Sequence, residues 1–274
     1  MTSVSPLTDR TCRVCAAAAR PLFRGRVLDH TVEYQECDVC GYVQTETPYW
    51  LAQAYAEPIN RSDTGLLRRN ARNTSIVMST LMLVGGLRGQ VIDCAGGYGV
   101  LVRMLRDRGV NARWHDPHCQ NLLARGFEAG DDEHADLVTA FEVLEHFTQP
   151  QTELARLLGR ADNVLVSTDL IAEPTPAADD WWYYGPEHGQ HIGFFRRRTL
   201  EHLAQQAGCR LHTDGRQFHL FTRQRIAPWR WALARKAHAI APLLARARLR
   251  SKVWSDLATA RDQALATLGK PPEP

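Results

Sequence analysis

The stretch that decides the fold is Val91-Ile92-Asp93-Cys94-Ala95-Gly96-Gly97-Tyr98-Gly99-Val100-Leu101. A short apolar run ends in an acid, a turn of small residues follows, and a helix-forming run begins. The pattern predicts a buried strand over Gln90–Cys94, a tight turn, and a helix from Val100 to about Arg108, stopped by Gly109. Small residues at such a turn let the backbone pass close to a ligand and feed a helix N-terminus. The spacing departs from a dinucleotide fingerprint, because a third glycine would be needed at position 102, which is Val102. An acid just before the glycines would repel a pyrophosphate and favour a cationic ligand.

Outward from this turn, strand and helix signals alternate. A helix is expected over Gly65–Leu87, strands at Ala112–His115, Asp136–Phe141 and Asn163–Thr168, and a helix over Gln151–Leu158 between the last two. A further helix is expected over Thr199–Ala207, with Thr199 as its N-cap and Gly208 just past its end. Cys209–Thr213 and Gln217–Thr222 flank Asp214-Gly215, a hairpin signal. Alternation followed by a hairpin predicts an α/β sheet with helices on both faces. Three parts are expected: residues 1–50, 51–225 and 226–274.

The 274 residues hold 44% hydrophobic and 23% charged side chains, which argues against intrinsic disorder. Lys+Arg 33 against Asp+Glu 30 gives a net charge of +3, too balanced to imply a nucleic-acid binder from bulk charge. No window approaches the ~18 apolar residues of a membrane span, and Met1–Pro6 lacks the basic-then-apolar order of a secretory signal. A cytoplasmic location is expected.

Residues 1–50 carry Cys12-x2-Cys15 and Cys37-x2-Cys40, with 21 residues between the pairs. Two such knuckles supply four thiolates, the set that suits a closed, structural, tetrahedral zinc. Free or redox pairs and a disulfide are the alternatives at this point. Cys94, Cys119 and Cys209 read as buried free thiols.

Taken together, the central motifs resemble the class I S-adenosylmethionine-dependent methyltransferases, whose first motif is D-x-G-x-G-x-G. Asp93, Gly97 and Gly99 match it, and Ala95 stands where the first glycine is usual. Asp116 follows Gly99 by 17 residues, and Phe141-Glu142-Val-Leu-Glu145-His146 matches the end of the family's fourth strand. The resemblance covers roughly residues 88–222. It implies a Rossmann-like core, S-adenosylmethionine as cofactor, and methyl transfer as the activity. It also implies cofactor contacts from Asp93 and from Ala95, Gly96, Gly97, Tyr98 and Gly99, a ribose contact from Asp116, an adenine flank at Phe127, and a cofactor floor at Glu142.

The segment Trp181-Trp182-Tyr183-Tyr184-Gly185-Pro186-Glu187-His188-Gly189-Gln190-His191, closing on Phe194-Phe195, leaves the carboxyl end of the strand before it, where open α/β sheets bind ligands. It resembles the E-H-x-x-Y-F-S stretch of sugar-nucleotide C-methyltransferases, which also carry a four-Cys zinc module. The overall arrangement is similar to methyltransferases of polysaccharide clusters. The implied acceptor is a saccharide or sugar nucleotide. His188 and His191 are the candidate bases, with Glu187 orienting one of them, and Tyr183, Tyr184, Arg69 and Asn70 are the candidate substrate contacts. Glu145 and His146 read equally as a structural pair and as catalytic groups. One departure is that the large C-terminal domain of the sugar C-methyltransferases has no counterpart here.

From Arg223 to Lys252 there are nine basic residues and no acid, with Trp229 and Trp231 interleaved and Trp254 just beyond. Such helices pack, mediate self-association, or touch an anionic membrane or polyanion. Two other functions therefore stay open: an RNA or ribosomal methyltransferase gripping its substrate with the zinc module and basic tail, and a non-catalytic adaptor of the same fold.

Overall fold

The computed structural model describes residues 10–56 and 63–267; the reading of Met1–Pro6 lies outside them. In chain order the elements are β1 (Arg20–Val27), β2 (His30–Glu36), β3 (Val43–Thr45), α1 (Leu51–Ala54), α2 (Leu66–Val84), β4 (Gln90–Cys94), α3 (Val100–Asp107), β5 (Asn111–His115), β6 (Leu137–Phe141), α4 (Pro150–Arg160), β7 (Asn163–Ser167), β8 (Gly193–Phe194), α5 (Arg197–Gln206), β9 (Arg210–Thr213), β10 (Phe218–Thr222), α6 (Pro228–Ala237), α7 (Ala241–Arg246) and α8 (Val253–Thr267). Six strands form a mixed sheet in the order β5-β4-β6-β7-β10-β9. β4 runs parallel to β5 and β6, and β10 runs antiparallel to β7 and β9. Four strands form a second sheet, β1-β2-β3-β8, antiparallel throughout. This is the expected α/β class, with the four cysteines beside the smaller sheet.

The elements of the larger sheet follow from local chemistry. β4 buries Val91 and Ile92 wholly, as an interior parallel strand must, and carries the acid Asp93 one residue before its end. Beyond β5 the sheet continues only as a single bridge from Trp114 to Glu128. The Asp214 carboxylate closes the β9–β10 turn by accepting from the N–H groups of Arg216, Gln217 and Phe218. α5 begins two residues earlier than expected. Arg196 is its N-cap, and Thr199 sits in the first turn, where its Oγ1 accepts from Arg196 N at 3.1 Å and donates to Cys40 O at 2.9 Å. The capping assignment for Thr199 is thus corrected: a tertiary acceptor holds its hydroxyl.

The described residues group into two compact units of interleaved segments. The first contains residues up to Asp63 and Ala140–Ile226, and the second contains Thr64–Thr139 and Ala227 onward.

In the first unit, the N-terminal sheet and the segment 181–194 share one core. Val27, Val32, Tyr34, Val43, Trp50, Tyr183, Tyr184, Ile192 and Phe194 pack together. Backbone groups are satisfied across the same boundary. Thr45 N donates to Ile192 O at 3.0 Å, Leu28 N to Pro186 O at 2.7 Å, and Trp50 Nε1 to Gly189 O at 2.8 Å. The Arg13 guanidinium donates to the carbonyls of Thr45 and Ile192. The long loop of the sequence reading therefore supplies strand β8 to the N-terminal sheet.

In the second unit, α2 packs against α3, α6 and α7. Covering from several sides explains why residues 76–81 are all buried, where one apolar face was expected. Pro228 and Pro242 open α6 and α7, as their lack of an N–H favours. α8 is pinned by Asp256, which accepts from Arg106 at 2.7 Å and 2.8 Å and from Arg103 at 2.8 Å. Trp231 is buried, whereas Trp229, Leu243 and Trp254 are exposed.

Candidate active site

In the second unit, the turn after β4 takes an alternating backbone. Ala95, Gly97 and Gly99 all lie in the left-handed region, at φ +56°, +53° and +83°. Ala95 accepts a conformation that costs an L-residue about 1–2 kcal/mol, and its neighbours fix it there. Gly97 N donates to Asp116 Oδ2 at 2.9 Å, and Gly97 O accepts from the Trp114 indole at 2.8 Å. A side chain at Gly96 would strike Trp114 at 2.8 Å and Asp93 Oδ2 at 3.0 Å, whereas nothing lies within 4 Å of a Cβ placed on Gly97. The Gly97 face of the turn is therefore open to a ligand. Tyr98 is half-buried, and its carbonyl accepts from Leu123 N at 3.0 Å.

Asp93 is 4% exposed, and its Oδ1 accepts from the Thr139 hydroxyl at 2.6 Å. The parallel register of β4 and β6 sets Thr139 opposite Asp93. Burial pushes the Asp93 carboxyl up to about 7; the Thr139 bond pulls it down and the charge of Asp116 adds to the rise. A buried acid held this high is a site short of positive charge. Asp116 closes β5, and its Oδ1 accepts from the N–H groups of His118 and Cys119. These features fit a cationic ligand carrying hydroxyl groups, which is the chemistry of S-adenosylmethionine. Phe127 lies beside the Trp114–Glu128 bridge, and the Arg106 guanidinium stands 3.5 Å from its ring centroid, so one face of the ring is taken. Arg69 and Asn70 stand in the first turns of α2, where the Asn70 amide donates to Leu66 O at 2.9 Å.

In the first unit, the end of β6 and the segment 181–191 build a cluster of acids and histidines. Glu142 has φ +53°, the left-handed region that a branched or long side chain rarely takes. Its carboxylate accepts from Ser167 Oγ at 2.5 Å, Tyr183 Oη at 3.1 Å and Gln217 Nε2 at 3.4 Å. The Tyr183 hydroxyl also reaches Glu145 Oε1 at 2.7 Å. Glu145 is wholly buried, and its other oxygen, Oε2, has no hydrogen-bond partner among the described residues. Burial, helped by the neighbouring Glu142, pushes the Glu145 carboxyl up to about 8.

Around it stand three imidazoles, with ring centroids 5.1 Å apart for His146 and His191 and 4.7 Å for His188 and His191. His191 Nδ1 donates to Tyr183 O at 2.6 Å, which leaves the Nε2 lone pair facing Glu145 Oε1 at 3.9 Å. His188 Nδ1 accepts from Gln190 N at 3.1 Å, so the neutral ring presents Nε2–H. His146 Nδ1 bonds the Tyr55 hydroxyl at 2.9 Å. Burial lowers all three histidines, His146 to about 3 and His191 well below the usual range, with their mutual repulsion adding to the effect on His146 and His191.

Glu187 and Tyr184 stand as follows in the structure. Glu187, expected to orient a histidine, is exposed and lines a groove of about 320 Å³ together with Arg26, Tyr34 and Tyr184; backbone groups orient both rings. Tyr184, expected as a substrate contact, is packed among Phe23, Tyr34, Trp181 and Phe194, and its hydroxyl is spent on Pro176 O at 2.8 Å. The sequence reading passed over Thr139, visible only once strand register is known, and Tyr55, which no motif marks.

Cys12, Cys15, Cys37 and Cys40 bring their sulfurs within 4.8 Å of one another, with Cys12–Cys40 at 3.6 Å and Cys15–Cys37 at 3.4 Å. A disulfide is about 2.05 Å long, so neither pair is one. Thiolates around a tetrahedral zinc, at about 2.3 Å each, stand roughly 3.8 Å apart. The donor set fits a zinc ion.

A family model described as "Methyltransferase domain" matches residues 67–214. Among solved structures, the chain is similar to TnmH, with TM-score 0.45 and 16% identity over 65% of this chain and 62% of that one. It is similar to an O-methyltransferase family protein from Burkholderia thailandensis, with TM-score 0.45 and 15% identity over 64% and 63% of the two chains. The third is Burkholderia thailandensis 1,6-didemethyltoxoflavin-N1-methyltransferase, solved with 1,6-didemethyltoxoflavin and S-adenosylhomocysteine, with TM-score 0.47 and 15% identity over 74% and 97%. The chain spans less than two thirds of the length of the first two, 62% and 63%. No curated protein sequence matches it. Among the described residues no helix is long and apolar enough to cross a membrane.

Proposed function

We propose, for a chain that belongs to the methyltransferase-domain family, that it transfers a methyl group from S-adenosylmethionine to a small-molecule acceptor, a saccharide or sugar nucleotide. The observation that carries the cofactor reading is Asp93: a buried carboxyl, fixed by the Thr139 hydroxyl, beside a left-handed turn whose Gly97 face is open. S-adenosylmethionine, when bound, supplies a methyl group on a sulfonium. Asp93 balances positive charge, the Gly97 face receives the methionine end, and Asp116 turns from Gly97 N to the ribose hydroxyls.

The acceptor side is assigned to the Glu142–Glu145–Tyr183–His191 cluster. Methyl transfer requires the acceptor atom to be held in line and its proton removed. Of the two histidines singled out in the loop, His191 is the better acceptor of that proton, because its Nδ1–H is committed and its Nε2 lone pair is open. His188 in its neutral form offers a donor instead. The saccharide assignment is supported by the Glu187-His188 and Phe194-Phe195 resemblance and by the dense polar lining of the cluster. Four thiolates holding zinc form the anchor beneath the acceptor loop.

The test is transfer of isotopically labelled methyl from S-adenosylmethionine into a panel of sugar nucleotides, free glycosides and RNA. Label in a saccharide fits the proposal. Label only in RNA, or in no acceptor while cofactor binds normally, overturns it.

A further inference from the structure

We infer that Glu145, His146 and His191 form a second metal site, one that takes a first-row divalent ion. One ligand atom from each lies within 4.8 Å of those of the other two. Two imidazole nitrogens and a carboxylate oxygen are a donor set that suits zinc, iron(II), cobalt(II) or manganese(II).

Four contacts and vacant groups prepare these residues for an ion. Glu145 is wholly buried, yet its Oε2 has no hydrogen-bond partner among the described residues. A buried acceptor left unsatisfied costs about 1–3 kcal/mol, more when charged, and a cation would satisfy it. His191 donates its Nδ1–H to the Tyr183 carbonyl at 2.6 Å, the outer contact that fixes a ligating ring with Nε2 free. His146 Nδ1 pairs with the Tyr55 hydroxyl at 2.9 Å; with the proton on Nδ1, this contact fixes the ring and leaves Nε2 for an ion. The Tyr183 hydroxyl, at 2.7 Å from Glu145 Oε1, steadies the carboxylate. Ligands at about 2.1 Å from a tetrahedral ion stand roughly 3.3–3.4 Å apart. The 3.9 Å between His191 Nε2 and Glu145 Oε1 must therefore shorten by about 0.5 Å, within reach of side-chain torsions.

Three protein ligands leave coordination positions open, the mark of a site that also binds a ligand of its own. Resting on the reading of this cluster as the acceptor side, the ion would hold acceptor oxygens, for which a vicinal diol has the right spacing. With the ion bound, His191 Nε2 would be a ligand and no longer the proton acceptor; the ion would instead make the acceptor hydroxyl it holds more acidic. The site is separate from the four cysteines in chemistry, since nitrogen and oxygen donors leave thiolate-bound zinc in place.

The test adds cobalt(II) to protein carrying one zinc on its cysteines and reads stoichiometry by metal analysis and d–d absorption. Wild type should take up one cobalt per chain, and X-ray absorption at the cobalt edge should show about two imidazoles and no sulfur. His146→Ala and His191→Ala should each weaken uptake at least about 10- to 100-fold and leave the cysteine-bound zinc intact. No cobalt beyond the zinc in wild type, a sulfur shell, or unchanged uptake in both folded variants overturns the site. Where neither variant folds, the wild-type stoichiometry and ligand shell decide. S-adenosylmethionine titrated into the same samples separates the two claims: cofactor binding without cobalt uptake removes the metal site alone, and cobalt uptake without cofactor binding removes the methyltransferase reading alone.

Discussion

Replacing Asp93 by Asn should make the protein more stable and a worse cofactor binder, with both effects growing as pH rises. In the folded chain burial holds this carboxyl at about 7, against about 3.9 for an unfolded aspartate. Between those values the folded state keeps a proton that the unfolded state has released. The stability this proton confers is complete below about pH 4 and is lost as pH rises to about 7. At roughly 1.4 kcal/mol per unit, the ionised Asp93 costs up to about 4 kcal/mol at pH 8 and about 1.5 kcal/mol at pH 5. Asn keeps an acceptor for the Thr139 hydroxyl and has no charge to bury. Its advantage over Asp should therefore grow by about 2–3 kcal/mol between pH 5 and pH 8, measured by urea unfolding of both proteins. The same variant should bind S-adenosylmethionine about 10- to 100-fold more weakly at pH 8, the worth of a charge-assisted contact. A stability difference that does not change with pH would refute the burial argument. Unchanged cofactor affinity in the folded variant would refute the assignment of Asp93 to a cationic ligand.

Purified protein should carry one zinc per chain, and full metal content in a Cys37→Ser/Cys40→Ser variant would remove that assignment. Stripping the zinc should abolish turnover while S-adenosylmethionine affinity stays within a few-fold, because the N-terminal sheet beside the cysteines shares its core with the segment 181–194; calorimetry on the stripped protein checks this. His191→Ala should lose at least about 10²-fold in turnover, a common cost of removing a general base, and His188→Ala distinctly less; equal, near-wild-type rates in both would contradict the tautomer argument. Asp256→Ala leaves the Arg106 guanidinium buried without its carboxylate, and should cost about 3–5 kcal/mol of stability in denaturant titration.

The second unit was the most legible part of the chain. β4 follows from a short apolar run that ends in an acid, and α3 from the glycine turn that launches it, because both are set by residues adjacent in sequence. Asp93 and Asp116 were found for the same reason: each closes a strand, and a strand end is a sequence position. The four cysteines were legible from spacing alone. The environment of the histidines was not. Whether His188 or His191 offers a lone pair depends on which backbone group meets each Nδ1, a tertiary fact. Aromatic density carries no sign of direction: in the fold most of the Tyr184 ring fills the core that the loop shares with β1, β2 and β8, and only its edge reaches the groove beside Glu187. β8 itself is two residues long, and its pairing with β3 joins positions about 150 residues apart, beyond any periodic signal.

The claim on which the rest depends is that the β4 turn binds S-adenosylmethionine. Isothermal titration of S-adenosylmethionine, S-adenosylhomocysteine and NADH into wild-type and Asp116→Ala protein tests it directly. Both adenosyl ligands should bind wild type at one site per chain, and the variant should bind them about 10- to 100-fold more weakly, the loss of about 1.5–3 kcal/mol from a charged hydrogen bond. Tighter binding of NADH than of S-adenosylhomocysteine, or undiminished affinity in a folded Asp116→Ala protein, would contradict it.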